Sequence, residues 1–198
     1  MNDTAQKIFD MIRQSPKQVT VLPCDDSISR QAREQYPADP ESALGVVLDQ
    51  TGGIVIDGWI RVYGSGPLNI LARNALFPYD DLVVAEDVLG GLFLFLKNGN
   101  IGYFAPDSLE TEDLEVRYSQ FLSWCLHGDT DQFYADLRWA GWQEDTAALS
   151  LSDGVVFYPF LWADAESLES RKRSVVPMKE IIGLEMDCFR QLQQPDRE

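Results

Sequence analysis

From residue 44 to residue 104 the chain breaks into six short runs rich in β-branched and aromatic residues, each parted from the next by a segment holding glycine. Pieces this short, joined this tightly, fold most readily as neighbouring antiparallel strands. Leu44-Gly45-Val46-Val47-Leu48 and Ile54-Val55-Ile56 flank Gln50-Thr51-Gly52-Gly53, and Asp57-Gly58 turns into Trp59-Ile60-Arg61-Val62-Tyr63. These three runs read as a meander. Leu82-Val83-Val84-Ala85 opens a second group, in which Gly91 to Leu96 and Ile101 to Phe104 flank the hairpin signal Asn98-Gly99. Leu92 to Leu96 is apolar on both faces, so that strand is expected at the centre of a sheet covered on both sides.

Helical spacing borders this region. Ile8, Met11 and Ile12 give residues 3–14 an apolar stripe closed by Ser15-Pro16, and Ser27 is placed to cap a helix through Tyr36. Val19 to Leu22 is a short β-like run between them. Pro67 suits the first position of a short helix through Leu76. Tyr118, Phe121, Leu122, Cys125 and Leu126 mark another helix, and Asp129 with Gln132 forms a capping-box pattern for one through Arg138. Val155 to Tyr158 reads as a strand, and Ser174 to Pro177 as an extended approach to a last helix carrying Ile181, Leu184, Met186, Phe189 and Leu192. The expected organisation is one domain over 1–198, with N-terminal helices in 3–36, a sheet-rich middle in 43–105 and a helical and C-terminal part in 118–193. The fold class is α+β, with a mainly antiparallel, curved sheet and flanking helices.

Charge narrows the choice of partner. The 198 residues carry 32 Asp and Glu against 16 Lys and Arg, a formal charge of −16. Phosphate and anionic lipid are held by Lys and Arg, so neither nucleic acid nor a membrane surface is an expected partner, and a basic protein is. The longest apolar stretch, Val88 to Leu96, is far short of the ~20 residues of a spanning helix. Met1-Asn2-Asp3-Thr4 offers no basic or apolar signal region, and Cys24, Cys125 and Cys188 are odd in number and far apart. The expected location is the cytoplasm.

No motif calls for catalysis, a cofactor or a metal. One His, without C-x-x-C or H-x-x-x-H spacing, is poor material for zinc, and His127 lies two residues from Cys125, on another side of a helix. A place near a helix end, where its partial charge meets the dipole, suits His127 better. Gly64-Ser65-Gly66 is followed by Asn69 where a phosphate loop of the G-x-G-x-x-G type needs glycine, so a tight turn before Pro67 is expected. The acidic pairs Asp25-Asp26, Asp80-Asp81, Glu86-Asp87 and Glu112-Asp113 place adjacent side chains in different directions, which suits solvated turns better than a working pair of carboxylates.

Residues 104–169 stand apart. They hold 14 acids, 2 bases and 12 of the 22 aromatics. Aromatics packed inside with acids solvating the outside would explain most of this, and the helical spacing of Phe121, Trp124 and Cys125 agrees. Leu137-Arg138-Trp139-Ala140-Gly141-Trp142 fits that less well, because two indoles beside a glycine suggest a helix end or loop. Exposed Trp and Tyr among acids would anchor a basic protein. The candidate partner-binding residues are Trp139, Trp142, Trp162, Tyr158, Asp87 and Asp107.

A resemblance adds to this. Thr51-Gly52-Gly53-Ile54 with Asp57-Gly58-Trp59, Tyr63 to Gly66, Ala85 to Gly91, Tyr103 to Leu109 with Tyr118 to Leu122, Phe133 to Trp142 and Tyr158 to Trp162 together resemble an uncharacterised bacterial family of the domain-of-unknown-function kind. More distantly, the order of elements, with Gly90-Gly91-Leu92-Phe93 and Ser119-Gln120-Phe121-Leu122, is similar to the SUKH superfamily, whose members include immunity proteins that neutralise bacterial toxins. That resemblance implies an α+β fold and a toxin-like partner, and transfers no catalytic residue. The alternative is a small-molecule-binding protein or enzyme using Asp57, Glu86, Asp87 and Asp107 at strand ends. A third reading gives the function to a self-association surface, with the oligomeric state left open.

Overall fold

The computed structural model describes residues 3–77, 81–165 and 167–193; Asp80, one half of an acidic pair, lies outside them. Seven strands form one antiparallel sheet in strict chain order: β1 (Val19–Val21), β2 (Ile54–Ile56), β3 (Ile60–Val62), β4 (Val83–Asp87), β5 (Leu92–Phe95), β6 (Ile101–Phe104) and β7 (Thr111–Val116). A separate hairpin pairs β8 (Asp153–Tyr158) with β9 (Lys172–Pro177). The helices are α1 (Asp3–Gln14), α2 (Asp26–Gln35), α3 (Ala43–Gln50), α4 (Ile70–Asn74), α5 (Tyr118–His127), α6 (Thr130–Phe133), α7 (Trp142–Ala147) and α8 (Met178–Gln193). The architecture is α+β, an antiparallel sheet flanked by helices.

Turn chemistry sets much of this order. Asp57 and Gly58 both take positive φ, the requirement of the two-residue turn that joins β2 to β3. Gly99, also at positive φ, joins β5 to β6. β5 lies between β4 and β6 with Leu92, Phe93 and Leu94 buried, as its two-sided apolarity requires. Cross-strand partners share a face. One face carries Arg61, Glu86, Leu92 and Phe104 in register, and Phe104 meets Phe189 of α8. The other carries Ile60 and Asp87, with Phe93 and Tyr103 further along, and Phe93 packs on Phe121 and Trp124 of α5.

Several elements differ from the sequence expectation. Leu44 to Leu48 is not a strand but the body of α3, where Ser42 accepts a hydrogen bond from the Gly45 amide. Every residue from Leu44 to Leu48 is buried, because α3 packs against α1, α2 and α5; a helix buried on all sides has the same apolar composition as a buried strand. The first strand of the meander is β1, paired with β2. Asp25 rather than Ser27 caps α2, and α4 begins beyond Asn69 rather than at Pro67. Asp129 accepts from the Gln132 amide as expected, yet that helix is α6 alone, ending at Phe133. β7 and α7 were not foreseen.

Gly64-Ser65-Gly66 is the tight turn its sequence suggests. A Cβ on Gly64 would lie 2.4 Å from the Gly53 amide nitrogen, so two backbone segments touch there and leave no phosphate cradle.

Candidate functional site

β4 brings Glu86 and Asp87 to opposite faces, and both are fully buried. The Tyr63 hydroxyl donates to Glu86 Oε2 at 2.6 Å, and the Arg73 guanidinium donates to the same oxygen at 3.1 Å. Oε1 forms ion pairs with Arg73 at 3.1 Å and Arg61 at 3.5 Å. Arg61 also donates to the carbonyls of Ser150, Leu151 and Asp153. Burial raises the Glu86 carboxyl above its ordinary range, against the pull of Arg73 and Arg61. That carboxyl offsets two guanidiniums that would otherwise be a pair of uncompensated buried cations.

Asp87 Oδ1 accepts from the amides of Leu89 at 2.9 Å and Gly91 at 3.0 Å, and Tyr103 donates to Oδ2 at 2.7 Å. Burial raises this carboxyl too, opposed first by Tyr103 and then by the two amides. Glu185 of α8 lies against this turn: a Cβ on Gly90 would fall 2.5 Å from its Oε1. Glu185 is 1% exposed, and its Oε2 has no hydrogen-bond partner among the described residues. Burial, with the charge of Asp87 added, pushes its carboxyl well above the usual range. Glu86 and Asp87 thus bind β4 to the elements around it, and both are closed off from solvent.

Trp139 and Trp142 are 2% and 9% exposed. They surround Trp59, at centroid distances of 5.6 and 5.1 Å, and the Arg138 guanidinium sits 4.0 Å over the Trp142 ring. Trp139 Nε1 donates to Asp145 at 2.7 Å. Of the helix end or loop expected beside Gly141, the structure has the helix end: Gly141 caps the start of α7 at positive φ, and the chain turns there to bury both indoles. Asp87, Trp139 and Trp142 are thus internal residues, not surface anchors.

The other candidates lie outside. Asp107 is exposed in the β6–β7 connection. Tyr158 is 68% exposed, and Trp162 is half-buried. The structure brings these two together through Phe160: Tyr158 and Phe160 meet edge to face at 6.0 Å, and Phe160 stacks on Trp162 at 4.8 Å. Arg171 fixes this loop by donating to the carbonyls of Pro159 at 2.9 Å, Phe160, and Ala163 at 2.8 Å. Of the fourteen acids in 104–169, twelve are exposed, Asp153 is half-buried, and Glu166 lies outside the described residues.

Sequence reasoning passed over Arg61 and Glu185. Each had a signal, a charge set among apolar neighbours: Ile60-Arg61-Val62 in a strand, and Glu185 one turn from Ile181 on the apolar face of α8. His127 ends α5, where its Nε2 lies 3.0 Å from the Met11 carbonyl oxygen. Among the described residues no group of three or more His, Cys, Asp or Glu side chains could hold a metal, and no helix is long and apolar enough to cross a membrane.

The chain is 35% identical to the uncharacterised protein YbfG of Escherichia coli (strain K12), an alignment covering 88% of this chain and 86% of that one. It is 34% identical to an uncharacterised protein of Haemophilus influenzae, with 68% of each covered. No solved structure matches it. The model of the family described as protein of unknown function DUF2625 matches residues 1–181, and to that family the chain belongs.

Proposed function

We propose that the protein is a non-catalytic binding module of the cytoplasm whose partner is a basic protein, as an immunity protein is to a toxin. The observation that carries this reading is the Tyr158–Phe160–Trp162 loop, an aromatic ladder with Tyr158 exposed and Phe160 and Trp162 half-buried, held in place by Arg171. Aromatic side chains already held in place lose little entropy on binding, which is what an interface anchor requires. The chain's charge of −16, of which residues 104–169 carry −12, sets the sign of the partner and speeds its approach. A nuclease toxin fits, since it must be basic to hold phosphate.

The immobilised protein is exposed to lysate of its native organism at low and high ionic strength, beside the Tyr158→Ala variant. The expected result is a basic protein retained at low salt, released at high salt, and not retained by the variant. Because Tyr158 is exposed, its truncation leaves stability within about 0.5 kcal/mol, so a lost partner reports on binding. A variant that retains the same proteins as the wild type would overturn the reading.

A further inference from the structure

A cavity of about 340 Å³ lies between the β1–β3 strands and α7. That is within the usual range of small-molecule sites, roughly 300–1,000 Å³. Its wall includes Arg61, itself only 2% exposed, whose Nε has no hydrogen-bond partner among the described residues. Arg61 and Arg73 together face one carboxylate, Glu86, so the buried group carries a surplus positive charge. Backbone carbonyls moderate that surplus without cancelling it. The same cavity is lined by two carboxylates, Asp57 and Asp131, and by the hydroxyl-bearing Thr20 and Thr146. Asp57 is half-buried in the β2–β3 turn, where it accepts from the Gln18 amide; Asp131 is exposed and pairs with Arg138.

This distribution selects between ligand classes. A simple anion drawn to Arg61 would meet the repelling charge of Asp57, that of Asp131 being already offset by Arg138. A simple cation drawn to those carboxylates would meet the surplus at Arg61. A molecule bearing both charges satisfies both walls. We propose that this cavity binds a small zwitterion of the free amino acid class, with its carboxylate toward Arg61, its ammonium toward Asp57 and Asp131, and Thr20 and Thr146 as neutral hydrogen-bond partners. The site is independent of the protein-binding loop, with which it shares no residue.

The full-length protein is titrated with each of the twenty free amino acids at millimolar concentration, read by thermal shift and calorimetry, and each ligand that binds is compared with its N-acetyl and amide analogues. The expected result is at least one amino acid that binds, with each singly charged analogue weaker by about tenfold or more. Asp57→Asn keeps an acceptor for the Gln18 amide and a residue type that tolerates positive φ, so the fold stands. Its affinity for the amino acid is expected to fall by a similar factor. In an NMR titration the shifted amides are those of residues 18–20, 57–61 and 142–147. Absence of any binding, analogues that bind equally well, or shifts confined to other residues would each overturn the proposal.

Discussion

Glu86 and Asp87 are neighbours on β4 and equally buried, yet they are neutralised by unrelated means. Glu86 is met by two guanidiniums and a phenol. Asp87 is met by two backbone amides of its own turn and a phenol. The alternation of side chains along a strand forces this division, because adjacent residues cannot share partners. The difference lies in what each device fixes. Glu86 ties β4 to α4 through Arg73, and Arg61, its partner in register, reaches on to the 150–153 segment through three carbonyls; Asp87 mostly fixes the turn that follows it. Loss of the first would release distant parts of the chain, and loss of the second would loosen one corner.

The largest expected effect follows from that contrast. Glu86→Ala leaves Arg61 and Arg73 buried without a carboxylate, and breaking a buried pair in this way costs about 3–5 kcal/mol. For a protein whose total stability is roughly 5–15 kcal/mol, that approaches unfolding. The urea midpoint measures it. A loss below about 1 kcal/mol would mean that the carbonyls of Ser150, Leu151 and Asp153 already hold Arg61, and that Glu86 is no more central than Asp87.

A second effect depends on pH and tests the Asp87 side. Unfolded, Glu185 loses its proton near pH 4.3; folded, it keeps that proton to a much higher pH because it is buried beside Asp87. Between those two points the folded state binds more protons, so stability falls as pH rises, by about 1.4 kcal/mol per unit. Glu185→Gln preserves the shape and removes the titration. The variant is expected to gain on the wild type at that slope from about pH 5 upward, and to match it most closely near pH 4. Denaturant melts across that window measure the difference; a constant gap would show that Glu185 is paired and ionised in the folded protein.

These two sites also mark what could be read without coordinates. The turns were legible because their residues are locally determined: Asp57-Gly58 and Asn98-Gly99 need positive φ and announce it. The central place of β5 followed from its two apolar faces. α3 was not legible as a helix, since Leu44-Gly45-Val46-Val47-Leu48 satisfies a strand pattern locally and only packing against three helices decides otherwise. β7 was missed because the edge strand Thr111-Glu112-Asp113-Leu114-Glu115-Val116 turns only Leu114 and Val116 inward, too short an alternation to stand out among its acids. Of the six candidate binding residues, Tyr158 and Asp107 are exposed and Trp162 is half-buried, whereas Trp139, Trp142 and Asp87 went inward. The region reads as aromatic and acidic in sequence; which indole meets solvent depends on Trp59, which arrives from the far side of the β2–β3 turn.

The smallest expected effects divide the two sites most finely. Tyr63→Phe and Tyr103→Phe each delete one hydroxyl and keep the ring, so neither leaves a cavity comparable to a lost side chain. After Tyr63→Phe, Glu86 Oε2 still receives Arg73 at 3.1 Å, and the expected loss is about 0.5–1 kcal/mol. After Tyr103→Phe, Asp87 Oδ2 loses the phenol that donates to it at 2.7 Å, and a buried charged acceptor without its donor costs about 1–3 kcal/mol. The amides of Leu89 and Gly91 cannot compensate, because both are directed at Oδ1. Thermal or urea unfolding of the two variants side by side measures the order. Tyr103→Phe is expected to be the costlier; the reverse order would mean that Asp87 is held by its amides alone, and that the phenol matters more where the guanidiniums are.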